Sequence, residues 1–273
     1  MRTKRISASV ALQRMLGVVA LLSLSTFAAA NPVVESLQSL DNGKLEFEFA
    51  ARPGVQGNGS SVVITHGSHT TWHSWSGRDD RRELCDPCRV QVTLTVRQGE
   101  IRRLRRRVGA RRRSPRPDLL QIGVVDAAVA RDFLMELVGE AQDNIAEAAL
   151  GAAVLSETSV AWEDLLRLAR DHDRSHELRS TALFWLGQEA QEVVTGELES
   201  LVTDDIEDLE VRRSAVFALS QRPDPQSIPS LQRLVRQHRH PEIRRHALFW
   251  LAQKDSPQVA DFFEEILSDS SGR

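Results

Sequence analysis

Glu177-Leu178-Arg179-Ser180-Thr181-Ala182-Leu183-Phe184-Trp185-Leu186-Gly187-Gln188 returns, without a gap, as Glu210-Val211-Arg212-Arg213-Ser214-Ala215-Val216-Phe217-Ala218-Leu219-Ser220-Gln221. It returns again as Glu242-Ile243-Arg244-Arg245-His246-Ala247-Leu248-Phe249-Trp250-Leu251-Ala252-Gln253, at spacings of 33 and 32 residues. In the first copy Leu178, Ala182, Leu183 and Leu186 fall on one face of a 3.6-residue period, with Glu and Arg on the other, so each copy reads as an amphipathic helix. A fixed period of this length marks a repeat architecture.

Each copy is followed by a second periodic segment with two apolar residues three apart: Leu198 and Leu201, Leu231 and Leu234, Phe263 and Ile266. Between helices stand breakers such as Arg222-Pro223-Asp224-Pro225 and Asp255-Ser256-Pro257, because proline lacks a backbone donor. An earlier, degenerate copy runs from Ile145 to Leu155 and continues to Leu165 and Leu168, and Phe133 to Leu137 supplies one more helix. A helix pair of this size cannot bury its own apolar faces, so successive pairs must stack. Four units exceed the about three needed for a stable stack.

The run of acid, aliphatic, Arg, two variable residues, Ala and aliphatic that opens each unit resembles HEAT repeats, in particular the short bacterial type also found in bilin lyases. The likeness covers about residues 140–270. The whole chain is similar to exported bacterial HEAT-repeat proteins with a small β region before the helices. In that group an Ala-Arg-Pro-Gly-Val-Cys-Gly segment is expected, and Ala51-Arg52-Pro53-Gly54-Val55-Gln56-Gly57 has glutamine in place of the cysteine. The resemblance implies an interaction scaffold with no shared activity and no cofactor. The chain is thus read as mainly α: a short HEAT-like α-solenoid of helix-pair repeats at 144–273, preceded by a small antiparallel β region at 31–109. An Arg/Pro linker at 110–118 and a leading strand and helix segment at 119–143 join the two.

Stacked repeats turn equivalent positions into ladders. Glu177, Glu210 and Glu242 form one, Arg179, Arg212 and Arg244 a second, and Gln188, Gln221 and Gln253 a third. These are read as structural, since an Arg fork near a helix N-terminus can tie one repeat to carbonyls and carboxylates of the next. The aromatic row Phe184, Phe217, Phe249, Trp185 and Trp250 is read as core. The partner is expected to be another protein, on the second helix of each pair, where Glu197, Glu199, Arg233 and Glu264 are candidates.

Arg2, Lys4, Arg5 and Arg14 precede an uncharged run from Met15 to Ala30, ending in small residues at 28 and 30. This is a signal-peptide pattern, too short to span a bilayer, with cleavage expected after Ala30. Its loss takes the formal net charge from −3 to −7. An exported product without a membrane span follows. Nine arginines lie between Arg102 and Arg116 with no acid among them. No aromatic residue interleaves there to stack on bases, so nucleic acid is not the expected partner, and a charged strand edge that resists aggregation is.

Leu45, Phe47 and Phe49 alternate with Glu46 and Glu48, and Val90, Val92, Leu94 and Val96 with Gln91, Thr93 and Thr95, as half-buried strands. Gln98-Gly99 turns into a strand carrying Ile101, Leu104 and Val108, and Ser61 to Thr65 adds another. Cys85 and Cys88 are the only cysteines, and in an oxidising compartment a local disulfide is expected. Redox exchange would want the pair at a helix N-terminus, whereas a strand follows. His66, His69 and His73 could join the two cysteines as metal ligands, but the spacing matches no established finger.

The chain has no Gly-x-Ser-x-Gly elbow, phosphate-binding Gly-Lys-Ser loop or His-Glu-x-x-His helix. A non-catalytic exported scaffold is the first reading, a metal or thiol protein using residues 66–88 the second, and a lyase by fold analogy the third. N-terminal sequencing of the exported protein should begin at Asn31, and any other start would displace the cleavage site.

Overall fold

A computed structural model describes residues 31–59, 61–66, 69–74, 85, 87–109, 117–189 and 191–271. Its helical part begins with α2 (Ala127–Glu140), N-capped by Asp126, whose Oδ1 accepts from the Ala128 and Val129 amides at 2.9 and 3.2 Å. Four helix pairs follow: α3 (Asp143–Ala153) with α4 (Trp162–Ala169), α5 (His176–Gly187) with α6 (Val193–Thr203), α7 (Leu209–Ser220) with α8 (Asp224–Gln237), and α9 (Pro241–Leu251) with α10 (Pro257–Ser271). Ser175 caps α5, while prolines open α9 and α10 at positions where no intrahelical donor is needed. Before the sheet lies α1 (Pro32–Gln38), which the sequence reading missed. Its signal was Asn31-Pro32, a side-chain cap followed by a first-turn proline.

First helices pack on first helices, α3 on α5, α5 on α7 and α7 on α9, and each second helix packs on the first helix of the next pair. The repeat alignment therefore names the buried positions: Leu178, Ala182, Leu183 and Leu186 are inaccessible, as are Val211, Ala215, Val216 and Leu219. Gly187 permits the close approach of α5 and α7, since a Cβ there would sit 2.7 Å from the Ala218 carbonyl oxygen. The last unit departs from the pattern. In α10 the fully buried places go to Val259 and Phe262, one helical turn earlier, while Phe263 and Ile266 pack half-buried against the same core.

The sheet is mixed, not antiparallel throughout. Strands β1 (Asn42–Ala50), β5 (Arg89–Arg97), β6 (Glu100–Val108) and β7 (Leu119–Val124) stand in the order β6-β5-β1-β7, with β7 parallel to β1. The strands on either side of residues 110–118, β6 and β7, are the two edges of this one sheet. A second, antiparallel sheet has β2 (Val55–Gly57), β3 (Ser61–His66) and β4 (His69–Ser74) in the order β2-β3-β4. Leu45, Phe47, Phe49, Val90, Val92, Leu94 and Leu104 share the face toward the helices, where Phe47 meets Phe133 of α2 edge-on at 6.1 Å. The opposite face is less open than alternation suggested. Glu46 and Glu48 are buried in the middle strand, accepting from Gln121 (2.8 Å), Thr93 (3.1 Å) and Gln91 (3.3 Å).

Sheet and helices share one continuous apolar core, from Val33 to Phe262. Past β1 the chain pairs with the α3–α4 connection: the Arg52 amide donates to Leu155 O and the Glu157 amide to Ala50 O, both at 2.9 Å.

The arginine ladder ties the pairs together. Arg179 and Arg212 are almost fully buried, 1% and 6% exposed, and each Nε donates to a carbonyl ten residues earlier, Ala169 O at 2.8 Å and Val202 O at 2.9 Å. Each fork also reaches forward into the next loop, Arg179 to the Glu207 carboxylate and Arg212 to the His238 ring at 3.2 Å. Arg244 donates to His238 O and Arg239 O at 2.7 and 2.9 Å. Arg179→Ala strands the buried Glu207 carboxylate and should cost about 3–5 kcal/mol. Arg212→Ala leaves only neutral groups unpaired and should cost about 1–3 kcal/mol. Urea unfolding should rank them in that order, with Glu207→Gln recovering part of the Arg179→Ala loss; the reverse order would refute the ladder's assigned energetics.

Candidate functional site

Where the sheet meets the helices, a cleft of about 370 Å³ opens between β3, β6 and the first helices α3, α5 and α7. Its walls are Val62, Ile64 and Leu155 on one side and Phe184, Trp185 and Phe217 on the other. Arg106 enters from β6. It faces the apolar side of the sheet between Leu104 and Val108, where alternation alone would put a hydrophobic residue. Gly151 of α3 makes room for it, because a Cβ there would sit 2.4 Å from Arg106 Nη1. Burial lowers the Arg106 pKa, and the nearby Glu147 opposes that shift, so a desolvated cation with its countercharge lines the cleft. Arg102, Arg103 and Arg105 are exposed on this outer strand, which stands at the sheet's edge.

On the adjoining face, side chains of successive first helices meet one another. Ser214 Oγ donates to Ser180 Oγ at 2.9 Å, and the Phe184 and Phe217 rings stack 6.1 Å apart with 11° between planes. Phe217 meets Trp250 at 4.7 Å, and Trp250 Nε1 donates to His246 Nε2 at 3.0 Å. The aromatic row is therefore a ridge and not wholly core as read from sequence. Only Trp185 is buried; Phe184, Phe217 and Trp250 are half-buried, and Phe249 is 55% exposed. Spacing could not separate core from ridge, because helix period fixes a position's face but not what covers it.

A further cation row escaped the sequence reading. At the position after the glutamine ladder, Arg222 reaches the Glu189 carbonyl oxygen and Lys254 the Arg222 carbonyl oxygen (3.3 Å), each one repeat back. The signal was Arg222 and Lys254 at a spacing of 32, hidden because Glu189 breaks the row. Glu189 lies between Arg222 and Arg52, whose guanidinium sits over the Trp185 ring, 5.5 Å from its centroid. Burial raises the Glu189 pKa, against the pull of both cations.

The remaining sequence candidates are placed as follows. Glu177, Glu210 and Glu242 lie in the first turns of α5, α7 and α9, where the helix dipole favours an anion, and Glu210 and Glu242 pair with Arg213 and Arg245 on their own helices. Gln188 and Gln221 are the C-cap residues of α5 and α7, and Gln253 follows α9. On the second helices the surface charges pair across repeats: Arg170 with Glu197 (2.8 Å), Arg233 with Glu199 (2.9 Å) and Arg236 with Glu265. Glu264 is exposed. Cys85 and Cys88 form a disulfide. The backbone register pairs His66 with His69 and Val62 with His73 across β3 and β4, but the side chains of the three histidines lie outside the described residues, as do residues 1–30 and 110–116. Among the described residues no cluster of three or more metal-ligand types occurs, and no helix is long and apolar enough to cross a membrane.

Residues 211–237, which span α7 and α8, match the model of the PBS lyase HEAT-like repeat family. The chain therefore contains a HEAT-like repeat domain. A comparison with curated proteins finds no significant match.

His238 occupies, beside Arg212, the place that Glu207 holds beside Arg179. Its Nδ1 accepts from the His240 amide at 3.1 Å, and its Nε2 lies 3.2 Å from both Arg212 Nη2 and Val202 O. Burial, with Arg212 beside it, holds its pKa below the ordinary value, and burial with Arg213 does the same for His246. A depressed folded pKa means that the stabilisation is complete above about pH 6.5 and is lost as pH falls through the folded value. The melting temperature should drop between about pH 7.5 and about pH 5.5. His238→Asn, which keeps the acceptor and removes the titration, should shrink the drop, and the further change His246→Asn should shrink it again; an unaltered drop in both variants would refute the assignment.

Proposed function

We propose that the protein is an exported, non-catalytic scaffold that holds another polypeptide along the first-helix face of a HEAT-like solenoid, at the cleft around Arg106. The observation that carries the reading is the run of side-chain contacts across successive first helices, in which Phe184 and Phe217 hold the same position in their units. Ser180 with Ser214, and Phe184 with Phe217 and Trp250, give a continuous ridge whose spacing is fixed by buried arginines. Rigid helix pairs spend no ordering entropy on a partner laid across them, and aromatic side chains with an arginine are the residue types that dominate binding energy at interfaces. The HEAT-like match supports a repeat scaffold. Export rests on the leader pattern of residues 1–30.

The shared core rules out deleting the helices as a clean test, because β1 and α2 would lose their cover. Affinity capture from an envelope fraction with the full chain should retain a specific protein. Phe217→Ala and Arg106→Gln should each weaken that capture about tenfold or more, as expected for central interface residues, while leaving the helical circular dichroism unchanged. Capture that is indifferent to both changes would reject the cleft as the binding surface.

A further inference from the structure

The three aligned units differ in one respect that their sequences conceal. Leu183 and Val216 are inaccessible, yet Leu248 at the same position is 37% exposed. Phe184 and Phe217 are half-buried, yet Phe249 is 55% exposed. Gly187 and Ser220 are buried, yet Ala252 is exposed. In the inner units these positions are covered by the first helix of the following unit, α7 over α5 and α9 over α7, and no described residue takes that place over α9. The exposed patch on α9 therefore continues an interface that the molecule already forms twice.

We infer that this end face takes an amphipathic α-helix of the partner polypeptide, laid along α9 as α9 lies along α7. The inner interfaces specify its chemistry. The covering helix carries small and aliphatic residues on one stripe, as Val211, Ala215 and Ala218 do, with a small residue at closest approach, where Ala218 backs onto Gly187. It ends in a basic residue. Arg222 reaches the Glu189 carbonyl and Lys254 the Arg222 carbonyl, so the next acceptor in that row is the Lys254 carbonyl itself. A second copy of this chain does not offer such a helix head to tail, because the matching face of α3 is covered by α2 and β6.

The inference rests on the scaffold reading but uses a different face from the cleft. The probe is a stapled, fluorescein-labelled helical peptide with the sequence of residues 209–222, read by anisotropy against the full chain. Saturable binding is expected. Leu248→Glu and Phe249→Glu should each weaken it tenfold or more with the melting temperature maintained, since both side chains are already solvent-exposed. Arg102→Gln, on the distant hairpin, should leave it unchanged. Absence of saturable binding, or binding indifferent to both glutamates, would overturn the inference. So would a mass that doubles with concentration and reverts in Leu248→Glu, which would give the face to a second copy. Peptide binding with no protein captured from the envelope would keep the end face and remove the scaffold reading, whereas capture without peptide binding would do the opposite.

Discussion

Burying a guanidinium between two helix pairs is the constraint on which the repeats depend. A helix leaves its last carbonyls without partners, and where the next pair packs over that end, water cannot supply them. Arg179 and Arg212 supply donors from the next pair's first helix, ten residues downstream. An arginine taken out of water must itself be matched, and the following loop does that with Glu207 in one case and His238 in the other. Each arginine thus connects three successive segments, and its removal is felt in all of them. The spacing of the stack follows from the reach of one side chain.

Against that common device, the differences between units carry the individuality of the molecule. The Arg179 junction is closed by a carboxylate, while the Arg212 junction is closed by an imidazole, which burial and Arg212 hold below its ordinary pKa. Glu189 stands where its counterparts are Arg222 and Lys254, and so Arg52 of the β region has an anion to approach. That single reversal of charge is where the sheet is fastened to the second helix pair.

The β region is part of the same body as the helices. Strand β1 has a neighbour on each side, and Gln91, Thr93 and Gln121 of those strands donate to Glu46 and Glu48, which are buried although they alternate as surface residues should. Arg106 is the converse, a charged residue on the apolar face. The two glutamates lie on the face away from the helices, whereas Arg106 lies where strand and helix surfaces meet and lines the cleft.

Repetition was legible in the sequence because a helix period of 3.6 residues and a unit of 33 or 32 residues leave an apolar pattern that no tertiary detail can erase. The helix pairs, their boundaries at proline, the core positions of the inner units, the arginine ladder and the Gln98-Gly99 hairpin all follow from local chemistry that each residue carries with it. What the chain alone could not decide is what covers each face. Burial of Leu183 against exposure of Leu248, the ridge made of the aromatic row, the parallel seat of β7 beside β1 and the cleft at Arg106 depend on which distant segment packs where. Those outcomes come from long-range packing, in which identical local patterns meet different neighbours.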